Sequence, residues 1–110
     1  MTTLLYAHPS FGEHEMPEGH PECAGRYRAV AEALSASDFE GLIRRAPPEA
    51  SVEMIERVHT ARFFEALEAA SPPEELVRLD GDTFMGPSSL EAARRAAGAG
   101  CAAVDAIFAG

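Results

Sequence analysis

Leu4-Leu5-Tyr6-Ala7-His8-Pro9, and then Gly19-His20-Pro21-Glu22 leading into Arg26-Tyr27-Arg28-Ala29-Val30, read as strand, loop and helix in succession. The apolar run Leu4 to Ala7, stopped by His8-Pro9, suits a buried strand that starts an α/β unit. Residues 8–21 hold Pro9, Gly12, Pro17, Gly19 and Pro21 and are expected to form a long irregular loop. Loops of that length inside a compact domain are usually functional or disordered. Pro21 is expected near the first helical position, where its missing N–H costs nothing. Glu22 then falls in the first turn, where its charge complements the helix dipole. Tyr27, Val30, Ala31 and Leu34 recur at helical spacing and predict one apolar face through about Ser35.

The same alternation continues downstream. Leu42, Ile43 and Ala46 suggest a second short strand, closed by Pro47-Pro48. Ser51 is expected to cap a short helix carrying Val52, Ile55 and Val58, and Thr60 to cap the next, with Phe63, Phe64 and Leu67 as its buried stripe. Pro72-Pro73 ends that helix, and Leu79 to Thr83 reads as a turn or loop. Ser88 and Glu91 have capping-box spacing, so a long helix is expected from there to about Ala109. Its predicted face is Leu90, Ala93, Ala97, Cys101, Val104 and Phe108, mostly small at the start. Gly98 and Gly100 each cost such a helix about 1 kcal/mol relative to alanine, a cost that tight packing is expected to offset. Strands alternating with helices point to an α/β class with a parallel sheet. Two strands cannot complete such a sheet.

Composition narrows the function. A hydrophobic fraction of 46% with 25% charged residues is that of an ordinary globular protein, so general disorder is not expected. Eighteen acidic residues against nine basic ones give a net charge of -9. Nucleic acid and anionic membranes both need clustered positive charge, so neither is an expected partner. Met1 to Ala7 has no basic segment, no apolar stretch approaches the roughly 20 residues of a spanning helix, and Cys23 and Cys101 form no Cys-x-x-Cys pair. The expected location is the cytoplasm, with both thiols free. A homo-oligomer is compatible with this composition.

His8, His14 and His20 sit six residues apart in the loop, and His59 precedes a helix. No His-Glu-x-x-His or Asp-x-His pairing accompanies them, so they read as surface or hydrogen-bonding histidines rather than a zinc site. Ser10, Ser88 and Ser89 lie in no nucleophile elbow, and Gly81 and Gly86 are too isolated to cradle a phosphate. Arg26 lies at the edge of the Tyr27/Val30/Leu34 face. From there it can bury its stem and donate to backbone carbonyls, or remain solvated.

The ordered set His8-Pro9, His14, Gly19-His20-Pro21-Glu22 and Arg26-Tyr27-Arg28-Ala29-Val30 resembles the opening of histone deacetylase family proteins. Bacterial class II-like members and acetylpolyamine amidohydrolases are similar to it. Val58-His59-Thr60 before Phe63-Phe64 resembles the family's valine-histidine-small element. The stretch from Asp82-Thr83-Phe84-Met85-Gly86-Pro87 through Leu90-Glu91-Ala92-Ala93 to Ala103-Val104-Asp105 is similar to its next signature. The resemblance implies the N-terminal portion of an arginase/deacetylase-like three-layer α/β fold, with residues 1–110 as an incomplete part of one deacetylase domain. It implies a zinc-dependent hydrolysis of an acetamide, such as acetyl-lysine, an acetylpolyamine or a similar small acetylated amine. In the complete family enzyme, two aspartates and a histidine hold Zn2+, a histidine pair handles protons and a tyrosine stabilises the oxyanion. None of those residues is in this sequence, since in the family a Gly-His-His element and then the Asp-x-His ligands come later, so the expectation for this chain is no catalytic and no metal-ligating residue.

Two positions carry over. Arg26 matches the family arginine that contacts backbone carbonyls in an internal channel beneath the active site. Asp82 matches a rim position that hydrogen-bonds the substrate; the bland reading is an aspartate capping its own turn. Residues 10–18 match the variable rim loop, with His14 and His20 in or beside it and His20 expected to fix the loop by hydrogen bonds. The competing expectation is a non-catalytic helical interaction module derived from the same family.

Overall fold

The computed structural model describes residues 1–110. Strand β1 (Leu4–Tyr6) pairs in parallel with β2 (Ile43–Arg45), in the register Leu4 to Ile43, Leu5 to Arg44 and Tyr6 to Arg45. A parallel pair needs a long crossover. Here it contains a 3-10 turn at Pro9–Gly12, helix α1 (Ala24–Ala33) and a second 3-10 turn at Ser37–Phe39. Both strands are shorter than the sequence suggested, since Ala7, Leu42 and Ala46 lie outside them.

Helix α1 starts later than expected. Pro21 and Glu22 precede it, and Cys23 is the N-terminal cap without a side-chain hydrogen bond. The Glu22 N–H is donated to His20 Nδ1 at 3.1 Å, so it is used in a turn before it can become a free helix amide. That turn also has His20 N–H donating to the Pro17 carbonyl and Gly19 at φ 84°, a left-handed value that glycine adopts without strain. No residue of α1 is buried, and Val30 is 59% exposed.

Both downstream caps form. Ser51 Oγ accepts from Met54 N–H at the start of α2 (Val52–Glu56), and Thr60 Oγ1 from Phe63 N–H at the start of α3 (Ala61–Ala70), each at 3.1 Å. Of the stripe on α3, Phe64 is buried, Leu67 half-buried and Phe63 exposed. A short antiparallel hairpin follows, β3 (Val77–Arg78) with β4 (Phe84–Met85). Two-residue strands carry no periodic signal, so only its turn was visible in the sequence.

Helix α4 (Ser89–Ala109) follows Ser88 and runs to its expected end, but the expected capping hydrogen bond does not form. Ser88 has φ -100° and ψ 0° and makes no side-chain cap bond, because a capping hydroxyl needs the extended backbone that Ser51 and Thr60 have. Glu91 instead pairs with Arg95 one turn on, at 3.0 Å. The buried positions of α4 are Ser89, Ala92 and Gly98, rotated from the expected stripe. Leu90, Ala93, Ala97 and Cys101 line an open groove of about 400 Å³ facing α2 and α3. Val104 and Phe108 are exposed.

The Pro47–Ala50 segment lies directly on α4. Ala50 N–H donates to the Arg94 carbonyl at 2.9 Å, the Arg94 guanidinium returns to the Ala50 carbonyl at 2.9 Å, and Arg95 reaches the Pro47 carbonyl at 3.0 Å. A Cβ at position 98 would stand 1.8 Å from the Pro48 carbonyl oxygen, so only glycine admits this approach. At Gly100 a Cβ would meet nothing within 4 Å. Tight packing therefore offsets one of the two helical glycines and not the other.

Only 10 of 110 residues are buried. The accessible surface is 7654 Å², whereas a self-contained globule of 11.7 kDa would show about 5,900 Å². The radius of gyration is 15.6 Å, against about 13 Å for a compact chain of this length. No helix is long and apolar enough to cross a membrane.

Candidate functional site

Two loops brought together from opposite ends of the sequence build the site: residues 13–22 and the hairpin turn 79–83. The turn closes by Leu79 N–H donating to the Thr83 carbonyl at 2.8 Å. Asp80 Oδ1 accepts the Asp82 N–H at 2.9 Å, an Asx turn in which Asp80, not Asp82, is the capping residue. That bond, with help from Thr83, holds the Asp80 carboxyl below the usual carboxylate range.

His20 bridges to this turn across 62 positions of sequence. Its Nε2 lies 2.8 Å from Asp82 Oδ1 and 3.1 Å from the Asp82 carbonyl. Because Nδ1 accepts the Glu22 N–H, the partners assign the proton of the neutral ring to Nε2, which donates to Asp82. When the ring is charged, Nδ1–H can donate to the Glu22 carbonyl 3.3 Å away. Desolvation works against that charge, but hydrogen bonds and attraction from Asp82, with the Glu22 carbonyl, outweigh it and raise the His20 pKa. The ring sits edge-on to Phe84, with centroids 6.0 Å apart, and Arg78 lies over Phe84 at 5.2 Å.

His14 joins the same cluster through different partners. Its Nδ1 is 2.7 Å from Ser89 Oγ, and that oxygen also accepts the Gly86 N–H at 2.8 Å. The bond ties the loop to the first turn of α4 beside a small pocket that Phe11 and Ala96 also line. His14 Nε2 is 3.6 Å from Glu22 Oε1, too long for a good hydrogen bond but close enough for attraction. His8 belongs elsewhere: its Nδ1 pairs with Ser10 Oγ at 2.8 Å, and its carbonyl accepts from Tyr27 OH.

The structure thus gathers His14, His20 and Asp82 but leaves Arg26 apart. Arg26 is exposed on α1, and it is Arg28 that donates to a loop carbonyl, at Gly12, 3.1 Å away. Ser89 and Glu22 complete the cluster and were not singled out as site residues. Ser89 was hidden by its neighbour Ser88, which carries the capping-box spacing. No three His, Cys, Asp or Glu side chains converge in a way that could hold a metal ion. These residues do not fit a zinc centre.

A parallel strand pair joined by a helical crossover defines an α/β scaffold. The chain belongs to the histone deacetylase domain family, whose pattern it matches over residues 20–110. It is 37% identical over 93 residues to a histone deacetylase-like amidohydrolase of Pseudomonas aeruginosa, covering 84% of this chain and 24% of that protein. It is likewise 37% identical over 90 residues to a probable deacetylase of Methanothermobacter thermautotrophicus, covering 82% of this chain and 26% of the relative. Its fold superimposes on the crystal structure of the HDA15 HD domain with a TM-score of 0.87 at 23% identity, over 100% of this chain and 33% of that one. The chain therefore spans about a quarter of the length of these two relatives.

Proposed function

We propose that residues 1–110 form the N-terminal part of a single zinc-dependent deacetylase domain that hydrolyses acetyl-lysine, an acetylpolyamine or a similar small acetylated amine. The observation that carries this reading is the meeting of His20 and Asp82 at 2.8 Å inside the family-matched segment. Asp82 is the rim acceptor for the substrate, with His14 and His20 supporting the rim. Arg26 lines the channel beneath the active site once the domain is complete. Zn2+, when bound, polarises the acetyl carbonyl and activates water, and its ligands lie outside this stretch. The free cysteines Cys23 and Cys101 suit a reducing compartment, in keeping with a cytoplasmic enzyme.

The excess of exposed surface supports this reading over a stand-alone helical interaction module. A module that folds by itself would not leave Val58 80%, Ile107 76% and Phe108 87% exposed. Reading the coding frame beyond Gly110 tests the proposal. The expected continuation contains Gly-His-His and then Asp-x-His, and the full product releases acetate in a chelator-sensitive reaction. A frame lacking both elements sinks it, as does robust chelator-sensitive deacetylation by the 110-residue chain alone.

A further inference from the structure

Asp82 has four polar groups that can bond: its N–H, its carbonyl and two carboxylate oxygens. Asp80 takes the N–H, and His20 Nε2 takes both the carbonyl and Oδ1. Only Oδ2 is left, on a side chain 88% exposed. The donor that does this is itself fixed. His20 is 12% exposed in its side chain, is held at Nδ1 by the Glu22 N–H and rests edge-on against Phe84. An exposed aspartate normally samples several rotamers, whereas this one is held at Oδ1 above a backbone fixed at its N–H and carbonyl.

We infer that His20 is a positioning residue that holds Asp82 so that its free carboxylate oxygen meets a substrate N–H at the rim. The inference rests on the proposal that Asp82 receives the acetylated substrate. The ligand class it selects is one with an amide or ammonium N–H beside the acetylated arm. The charged groups around the ring are Asp82 from the hairpin turn and Arg78 across Phe84, while Glu22 meets the ring through its backbone and has its carboxylate beside His14. Arg78 touches the ring of Phe84 rather than Asp82, so it does not compete for Oδ2. Fixing one oxygen spares the ligand the cost of ordering the other.

The test is an NMR titration of the full product of the reading frame, selectively labelled at aspartate and threonine, with Nε-acetyl-lysine N-methylamide. Side-chain couplings of Asp82 are recorded in parallel for the wild type, His20→Ala, His20→Gln and Asp82→Asn. The wild type is expected to show ligand-induced shifts at Asp82 and Thr83 and a single Asp82 rotamer. His20→Ala should average the rotamer and weaken binding about tenfold, the worth of one well-placed hydrogen bond. Glutamine can donate to Asp82 and accept from Glu22, so His20→Gln should keep the rotamer and stay within about threefold of wild-type affinity. If Asp82→Asn weakens binding while His20→Ala does not, His20 is no positioning residue and the rim reading survives. If Asp82→Asn binds like wild type, or the wild type shows no shift at Asp82, the rim reading fails and takes this inference with it. Should His20→Ala unfold, a rotamer already averaged in the wild type, or averaged in His20→Gln, overturns the inference without it.

Discussion

Helix α1 and the Pro47–Ala50 segment end in opposite conditions. The segment, which has no regular structure, is knit to α4 by backbone and arginine hydrogen bonds, with Ala50 2% exposed. The helix carries a well-formed apolar stripe and buries nothing. An apolar stripe states which face wants cover, whereas burial requires that the covering atoms be present. The seam on α4 is self-sufficient within these residues. Helix α1 and the end of α4 are not, which accounts for the excess surface.

The largest effect should come from breaking the seam where it is tightest. Gly98→Ala places a methyl group 1.8 Å from the Pro48 carbonyl oxygen, on backbone that the Ala50–Arg94 hydrogen bond holds in place. We expect a loss of about 3 kcal/mol in urea unfolding, at the upper end of overpacking costs. Gly100→Ala, two residues along and in open space, should instead stabilise by up to about 1 kcal/mol. Equal effects at the two positions would mean the close approach is not maintained in solution.

Next comes the contrast between buried and exposed stripe positions. Phe64 is 3% exposed and has Arg94 over its ring at 5.9 Å. Phe64→Ala should cost about 3 kcal/mol, at the lower end for a buried phenylalanine because the groove beside it is open. Val30→Ser on α1 removes a side chain already 59% exposed and should change the free energy of urea unfolding by less than about 0.5 kcal/mol. A large loss at Val30 would show that the α1 face is covered in solution, by a second copy of the chain or otherwise.

The caps make a finer comparison of the same kind. Thr60→Ala removes the acceptor for Phe63 N–H and should cost about 1 kcal/mol, while Ser88→Ala, with no cap bond to lose, should be near neutral. Far-ultraviolet circular dichroism melts of the two variants separate these outcomes.

These pairs also show what was legible in the sequence. Local chemistry was: Ser51, Thr60, the Pro47-Pro48 and Pro72-Pro73 stops and the parallel strands at Leu4 and Ile43 follow from a few neighbouring residues each. Ser88 misled because its backbone angles, fixed by the turn out of β4, do not aim its hydroxyl at the next turn. The hairpin 77–85 was missed because its strands are too short to alternate. The site was legible only as separate motifs. That His14 reaches Ser89 across 75 positions and His20 reaches Asp82 across 62 is set by tertiary packing, which no spacing rule encodes.

The smallest effect should be a pH dependence confined to the rim. In the unfolded chain His20 titrates near the ordinary value of about 6.5. In the fold its pKa is raised: desolvation lowers it, but the Asp82 hydrogen bonds and charge, with the Glu22 carbonyl, more than compensate. The folded state thus binds the proton more tightly, and the stability this contributes is complete below about pH 6.5 and lost as pH rises through the folded value. Urea midpoints of the wild type should therefore fall from pH 6 to pH 8 by more than those of Asp82→Asn, which lacks the charge and half of the clasp. Because Asp82 is largely exposed, water and salt screen the pair, and 0.5 M NaCl should shrink the difference between the two proteins. Parallel pH profiles would separate the rim from the seam completely, leaving His20 and Asp82 as neighbours that touch without sensing each other's charge.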